Sequence, residues 1–255
     1  MANIGLQLFS VWQYAEKDFL GTLERVADLG YKSVQFAGFF GVPASEVKDL
    51  MDRKGVKAAG AHVPIEQLSE DKLEETFDYH KEIGNDLLIV PALPKEMREN
   101  ADDYLKTARR LNQIGEACKE AGFAFGYHNH DFEFKKMDGV TGFDLLFENT
   151  DPDLVKMELD CYWATYAGYD PLKILSDHSD RAVSLHLKDI KTVGDKKVST
   201  EIGNGELNIS SLVETGLEHG VKWFTVEQES FEMDPFESLK ISADNLGKLL
   251  SEALK

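Results

Sequence analysis

The sequence has little of several features that would otherwise direct its interpretation. Its 255 residues include two cysteines, Cys118 and Cys161, which form neither a disulfide framework nor a CxxC metal site. No segment approaches the roughly 18 to 20 apolar residues of a membrane span. The start, MANIGLQLFSVW, also lacks the basic and apolar regions of a signal peptide. These absences favour a cytoplasmic protein whose cysteines stay reduced.

Positive charge is also scarce. The chain has 28 Lys and Arg residues against 46 Asp and Glu residues, which gives a net charge of −18. Such a surface repels nucleic-acid phosphates and anionic lipid, and no basic cluster is large enough to offset it locally. We therefore expect neither nucleic acid nor a membrane as partner. A neutral sugar is compatible with this charge, and so is a homo-oligomer.

What the sequence does contain is a repeated joint between a helix and a strand. Five copies show a polar stretch with helical periodicity, then a glycine, then an apolar run of strand length, as in KEIGNDLLIV and KEAGFAFGYH. The glycine stands where helices commonly end in the left-handed conformation. With three further strands that lack this glycine, the pattern predicts eight strands, near residues 4–9, 32–36, 56–62, 86–90, 123–129, 154–160, 182–187 and 221–227.

Eight strand-then-helix units in this length match a (β/α)₈ TIM barrel, an α/β fold, as a single domain over residues 1–255. A doubly wound open sheet is the alternative, but no G-x-G-x-x-G motif follows the first strand. The longest irregular connection late in the chain, residues 189–205, is predicted to contain a small hairpin that turns at Gly194 and Asp195.

Polar residues mark the carboxyl ends of the predicted strands, the face where active sites of this fold form. Because alternate residues of a barrel strand face the lumen, the fifth to eighth strands direct an inward ring of side chains there. The ring consists of His128, Asp160, His186 and Glu227. Burying its two carboxylates without compensation would cost several kcal/mol. The mixed nitrogen and oxygen set therefore predicts one divalent cation, with Mn²⁺ favoured and Co²⁺, Fe²⁺, Zn²⁺ or Mg²⁺ as alternatives.

At these residues the sequence resembles the xylose-isomerase-like sugar isomerase/epimerase superfamily, which includes ketose 3-epimerases, inosose dehydratases and, more distantly, the endonuclease IV type of DNA-repair enzyme. The resemblance covers essentially the whole chain and is carried by YHNHDFEF, MELD, HLKD, IGNGELN and VEQE. It implies one metal ion bound by a carboxylate on strand five and by Asp, His and Glu on the next three strands. Asp160, His186 and Glu227 match the last three positions.

Two residues depart from that pattern. His128 stands where the epimerases usually have Glu, and Trp163 stands where the family often has His. Ketose epimerases resemble a two-sided device in which two glutamates bind the metal and move protons on opposite faces of the sugar. The first departure removes one of these carboxylates, unless Glu133 or His130 takes its role.

The resemblance implies a metal-dependent isomerase or epimerase that acts on a keto-sugar through an enediolate. Loss of a β-hydroxyl from the same intermediate would instead make the protein a dehydratase or lyase of a keto-sugar or keto-inositol. A second alternative is a sugar-binding relative without catalysis. IGNGELN could offer backbone N–H groups to an anion, but no arginine clamp accompanies it, so an unphosphorylated substrate is expected.

Individual roles follow from these expectations. Glu227 is the candidate base, because a carboxylate beside the metal can reach the acidic carbon. His130 is the candidate second acid; its alternative role is that of a hydrogen-bonded buried histidine. Lys188 would hold a hydroxyl or the oxyanion; its alternative role is to pair with an acidic side chain. The remaining candidates are substrate contacts, namely Gln35, His62, Glu133, Glu158 and Trp163.

Overall fold

The apolar runs of the sequence form short parallel strands that alternate with helices. The computed structural model describes residues 3–255. Strands are numbered here along the chain, and those of the barrel are β1 (Asn3–Gln7), β2 (Ser33–Phe36), β3 (Lys57–His62), β4 (Leu87–Val90), β5 (Ala124–His128), β8 (Lys156–Asp160), β9 (Ala182–Leu187) and β12 (Trp223–Val226). They close in the order β1-β12-β9-β8-β5-β4-β3-β2, which confirms the predicted (β/α)₈ barrel.

Helices cover the outside of the barrel and begin and end where local chemistry favours it. They are α1 (Trp12–Ala15), α2 (Phe19–Asp28), α3 (Ala44–Lys54), α4 (Leu73–Glu82), α5 (Ala101–Glu120), α6 (Gly142–Glu148), α7 (Cys161–Tyr166), α8 (Pro171–Asp177), α9 (Ile209–Glu218) and α10 (Pro235–Ala253). The side chain of Asn100 caps α5 by accepting the Asp103 N–H. Gly55 ends α3 with a φ of 64°, the left-handed conformation predicted for the glycine joints. No helix within residues 3–255 is both long and apolar enough to cross a membrane.

Two antiparallel hairpins extend from the barrel. β10 (Asp189–Val193) pairs with β11 (Lys196–Thr200), and the chain turns at Gly194 as predicted for the segment after β9. The second hairpin joins β6 (Lys136–Met137) to β7 (Val140–Thr141) and was not expected from the sequence. Both hairpins follow strands that carry predicted site residues, β9 and β5.

The first strand is shorter than predicted. It ends at Gln7, and Leu8–Val11 form a 3-10 turn because the Gln7 side chain accepts the Phe9 N–H at 3.0 Å and pulls the chain round. This turn leaves Phe9 and Trp12 partly exposed beyond the carboxyl end of β1. The early end of β1 therefore places aromatic side chains where the sequence predicts more strand.

Candidate metal centre

Strand register brings the predicted ring together. Asp160 on β8 lies beside His186 on β9, and His128 on β5 lies beside Glu158 on β8. His128, Asp160, His186 and Glu227 are all buried and offer ligand atoms that lie within 4.8 Å of one another. We refer to these four residues as the cation cluster.

A second layer lies against the cation cluster and is organised by Glu158. Its Oε1 atom is 2.7 Å from His62 Nε2, 3.1 Å from His128 Nδ1 and 3.0 Å from His186 Nε2. The other carboxylate oxygen accepts a hydrogen bond from Gln35 Nε2. We call Glu158, His62 and Gln35 the Glu158 layer. Because Glu158 is fully buried and both its oxygens are engaged, this placement argues against the substrate contact predicted for it.

Two histidines of the cation cluster connect it to the Glu158 layer, because each presents one ring nitrogen to either side. His128 Nδ1 faces Glu158, whereas its Nε2 is 3.8 Å from Asp160 Oδ2. His186 Nε2 faces Glu158, whereas its Nδ1 is 3.2 Å from Glu227 Oε2. A carboxylate that accepts the N–H of one ring nitrogen leaves the other nitrogen available as a metal ligand. Glu158 is placed to orient both rings in this way.

The donor atoms of the cation cluster fit a divalent cation. Asp160 Oδ1 accepts the backbone N–H of Trp163 at 2.8 Å, whereas its buried Oδ2 has no hydrogen-bond partner in the part of the chain that the structure describes. His186 Nδ1 and Glu227 Oε2 face each other at 3.2 Å and must share a proton or a cation. Two imidazoles and two carboxylates suit a borderline divalent ion. These residues could therefore hold a divalent metal ion.

Lys188 already supplies one positive charge beside this cluster. Its fully buried Nζ atom is 3.4 Å from Asp160 Oδ2, 3.0 Å from Glu227 Oε2 and 2.9 Å from Glu229 Oε1. Burial alone would lower its pKa, but these carboxylates raise the pKa of Lys188 above its usual value. Burial alone would lower the pKa of His186, but Glu158 and Glu227 raise it to about 10. Asp160, Glu158, Glu227 and Glu229 still outnumber these two cations, so the cluster retains negative charge for a metal ion to neutralise.

His130 lies at the edge of the cation cluster. Its ring centroid is 5.0 Å from that of His128 and 5.8 Å from that of Trp163. Its buried Nδ1 has no hydrogen-bond partner among residues 3–255. Burial lowers the pKa of His130 to about 4. The ring is therefore neutral near pH 7, which weighs against the predicted role of proton donor and leaves it able to accept a hydrogen bond.

Glu133 lies outside both layers. The 3-10 turn over Phe132–Phe134 turns its carboxylate inward, where it accepts the Tyr127 hydroxyl and the His130 backbone N–H. Burial raises the pKa of Glu133 to about 7. It belongs neither to the cation cluster nor to the second group whose ligand atoms could share an ion, namely His62, His128, Glu158 and His186. The structure therefore does not place it as a substitute for His128.

The remaining predicted contacts divide between the layers. Trp163 faces Lys188, whose Nζ is 5.2 Å from the indole centroid, so it forms a wall beside the cation cluster. Gln35 and His62 lie with Glu158, and Gln35 Oε1 also contacts His186 Nε2 at 2.7 Å. Gln7, which donates to Gln35, and Glu229, which pairs with Lys188, were not among the candidate site residues. Strand alternation directs both of them inward, so the signal for them was present in the sequence.

The glycine-rich turn IGNGELN does not offer its amides to an external anion. The backbone N–H groups of Gly203, Gly205 and Leu207 donate to the carboxylate of Asp189 at 2.9 to 3.0 Å. Asp189 is fully buried and follows Lys188 in the HLKD segment. The anion at this turn is therefore an aspartate of the chain itself, and these three amides are already engaged.

The sequence is similar over most of its length to proteins of one known family. The family described as xylose isomerase-like TIM barrel matches residues 23–250. The chain is 26% identical over 190 residues to an inosose dehydratase of Geobacillus kaustophilus (strain HTA426), which covers 66% of this chain and 61% of that protein. It is 30% identical over 221 residues to an inosose dehydratase of Clostridium perfringens (strain 13 / Type A), with 79% and 72% covered.

Solved structures show the same fold over nearly the whole chain. A sugar phosphate isomerase/epimerase from Parabacteroides distasonis ATCC 8503 superposes with a TM-score of 0.82 at 27% identity, covering 97% of this chain and 98% of that one. The similar proteins are thus named for dehydration on the one hand and for isomerisation or epimerisation on the other.

Proposed function

The chain belongs to the xylose isomerase-like TIM-barrel family, and from this premise we propose that it is a divalent-cation-dependent lyase that removes water from a keto-sugar or keto-inositol. The proposal rests on which proton-transfer groups lie at the carboxyl ends of the barrel strands. Strand β5 presents His128 where the epimerases have a glutamate, and Glu133 is committed to Tyr127 and His130. A pair of exchanging carboxylates, which two-sided epimerisation uses, is not assembled.

The proposed reaction uses one carboxylate for both proton transfers. Glu227 removes the proton from the carbon next to the carbonyl, and the bonding electrons move into an enolate. The enolate then expels the β-hydroxyl, which takes the proton from Glu227 and departs as water. A divalent cation held by the cation cluster would stabilise the negative charge on the carbonyl oxygen.

Neighbouring residues support Glu227 in this role. Lys188 holds Glu227 at 3.0 Å and keeps it ionised before substrate binds, and it can pair with Glu229 when the substrate arrives. Glu158 orients the two ligand histidines from the side away from the mouth. His130, with a free Nδ1, is placed to accept a hydrogen bond from a substrate hydroxyl. Trp163 excludes water from one side.

An unphosphorylated substrate is favoured by the contacts of Asp189. This carboxylate occupies the backbone N–H groups of Gly203, Gly205 and Leu207, which are the group of amides that the sequence suggested for an anion. A phosphate there would have to displace a buried carboxylate. We therefore place neutral keto-polyols first, although a structural relative carries the name sugar phosphate isomerase/epimerase.

The second candidate is isomerisation or epimerisation of a ketose, which the name of the Parabacteroides relative favours. Both reactions begin with the same deprotonation and differ in the fate of the enolate. Incubating the Mn²⁺-loaded protein in D₂O with an inosose, free ketoses and 3-keto-sugars, followed by NMR, separates them. Loss of one carbinol carbon, with a new enol or methylene signal, supports the lyase; a new ketose that keeps all its hydroxyls and carries carbon-bound deuterium supports the second candidate. No change in any substrate would contradict both.

A substitution at His128 sharpens the same experiment. His128→Glu restores the carboxylate found in epimerases and should keep the metal, while deuterium exchange at carbon should increase relative to water loss. His128→Ala should weaken metal binding instead. Exchange that is already dominant in the wild type and unaffected by His128→Glu would favour the isomerase or epimerase reading.

A further inference from the structure

An aromatic pocket adjoins the metal centre on the side of the first four strands. The connections after β1, β2, β3 and β4 enclose a volume of about 310 Å³. Most of its wall is apolar and is formed by Phe9, Trp12, Phe39, Val63, Pro64 and Pro91. We call this cavity the aromatic pocket.

The walls of the aromatic pocket are held by further aromatic contacts. The indole of Trp12 packs edge-on against Phe40 at 4.6 Å, and Phe39 packs against Tyr79 at 4.2 Å. Gly38 has a φ of 107°, and an added Cβ there would lie 3.7 Å from the indole. The backbone thus passes directly beneath Trp12. The pocket is a packed structural feature and not a gap between loose side chains.

Two aromatic side chains at the rim of the pocket are exposed to solvent. Phe9 is 50% exposed and Trp12 is 36% exposed. Contiguous apolar surface of this kind, rimmed by polar residues, commonly marks a binding site. The chain as a whole is strongly acidic, with a net charge of −18. The apolar surface of Phe9 and Trp12 differs from that composition and lies next to a buried ionic cluster.

The pocket meets the metal centre at His62. This residue forms part of the pocket wall, and its Nε2 is 2.7 Å from the Glu158 oxygen that also contacts His128 and His186. His62 therefore belongs both to the wall of the aromatic pocket and to the Glu158 layer that lies against the cation cluster. The pocket and the cluster are neighbours at the carboxyl ends of the barrel strands.

The polar groups of the pocket are few and largely engaged. His62 Nε2 is bonded to Glu158, and His80 Nδ1 accepts from the side chain of Asn85. Gln67 is the other polar side chain of the wall. Several sugar hydroxyls placed here would lack partners, which is unfavourable in a buried site, and an anion would find no lysine or arginine.

We propose that the aromatic pocket binds an apolar, ring-sized substituent of the substrate, so that the natural substrate is a keto-sugar carrying an apolar group and not a free sugar. This inference rests on the proposed function, because the sugar itself is assigned to the metal centre. The ring stacks against Trp12 and lies over Pro64. A second copy of the chain is a different occupant, which the experiment below detects.

The test compares two probes that differ only in this substituent, the methyl and phenyl glycosides of one 3-keto-sugar. With Mn²⁺-loaded wild-type protein, the phenyl glycoside should bind about 10- to 100-fold more tightly, as expected for burial of one aromatic ring. It should also quench tryptophan fluorescence through Trp12. Trp12→Ala removes a wall and Ala37→Phe fills the cavity, so each should abolish the preference while leaving the affinity for the methyl glycoside within about threefold.

Tyr166→Ala is the matched control, because Tyr166 is 42% exposed and lies outside the pocket wall. It should retain the preference. Equal affinity of the two glycosides in the wild type overturns the proposal, and so does a preference that survives both pocket variants. Efficient turnover of free keto-sugars alone also overturns it, but that result leaves the proposed lyase function intact. Binding of neither glycoside by metal-loaded protein overturns both. A dimer that Trp12→Ala dissociates assigns the pocket to a second copy.

Discussion

Glu158 and Asp160 lie two residues apart on β8 and are both fully buried, yet they belong to layers with different properties. Glu158 is surrounded by groups of the chain itself, with Gln35, His62, His128 and His186 all within hydrogen-bond distance of its oxygens. Asp160 Oδ2 has no hydrogen bond within residues 3–255, and its nearest cation is the Lys188 ammonium in an ion pair at 3.4 Å. Burial alone therefore does not identify a ligand carboxylate, whereas unmet hydrogen-bonding capacity next to other donor atoms does.

The two layers also differ in whether they need a cation and in which layer orients the other. The Glu158 layer is complete without a cation, since its carboxylate is already compensated by hydrogen bonds. The cation cluster is incomplete, and its two histidines depend on Glu158 for their orientation. The following substitutions test this asymmetry.

The largest effect is expected for a residue of the cation cluster. Asp160→Ala or His186→Ala should reduce bound Mn²⁺ from about one equivalent to almost none, because each removes a ligand and leaves other buried charges unpaired. Metal analysis of chelator-stripped and reloaded protein measures this. Glu201→Gln alters a buried carboxylate that pairs with Ser238 away from the cluster, and should bind metal normally. Full metal content in both cluster variants would show that the ring is wrongly assigned.

Within the cation cluster, Glu227 should affect chemistry more than binding. Glu227→Gln preserves shape and part of the ligation but cannot accept a proton, so kcat should fall by about 10²- to 10⁴-fold. Substrate affinity, measured separately by calorimetry, should change little. A variant with nearly wild-type kcat would move the base to another residue, with His130 the next to test.

A smaller effect is expected for the Glu158 layer. Glu158→Gln should weaken Mn²⁺ binding by about 10- to 100-fold without abolishing it, because the amide orients the two histidines less well. The visible spectrum of Co²⁺-loaded protein should shift at the same time. Glu133→Gln is the control, since that buried carboxylate contacts neither histidine ring. Equal metal affinity in the two variants would contradict the orienting role.

The smallest effect concerns His80, a buried histidine whose ring contacts the side chain of Asn85. Burial lowers the pKa of His80 to about 4, below the value of about 6.5 in an unfolded chain. Its contribution to stability is therefore fully present above pH 6.5 and is lost as the pH falls towards 4, because the unfolded chain takes up the proton first. Between pH 7.5 and pH 5 the loss should be about 1 to 2 kcal/mol.

Denaturant unfolding of His80→Gln should show a flatter dependence of stability on pH over this window. His219→Gln changes an exposed histidine after α9 and should leave the dependence unchanged. Parallel curves for the wild type and His80→Gln would mean that the folded protein accommodates a charged His80, contrary to the expectation from its burial.

Much of the fold followed from local patterns. Glycine joints and apolar runs predicted all eight barrel strands to within a few residues, because helix ends and strand periodicity depend on neighbours in the sequence. The first strand was overextended, since nothing local shows that the Gln7 side chain would turn the chain at Phe9. The β6–β7 hairpin was missed for a similar reason: each of its strands has only two residues.

The candidate site was predictable only in part. Strand parity brought His128, Asp160, His186 and Glu227 inward from the sequence alone, because alternation along a strand is local. Parity also directed Glu158 inward but could not show that three histidine nitrogens surround it. That arrangement depends on the register of neighbouring strands and on residues as distant as His62.

By itself, the sequence determined the barrel, the four inward donor residues and the family, since each rests on short-range periodicity or on motifs read in order. Tertiary structure decided which carboxylate has unmet hydrogen-bonding capacity, that Glu133 turns away to Tyr127, and that Asp189 takes the amides of a loop 14 to 18 residues further on. It alone assembled the aromatic pocket from four separate connections. The physical reason is that a polar atom bonds to whichever partner the fold brings within about 3 Å, and sequence separation does not report that distance.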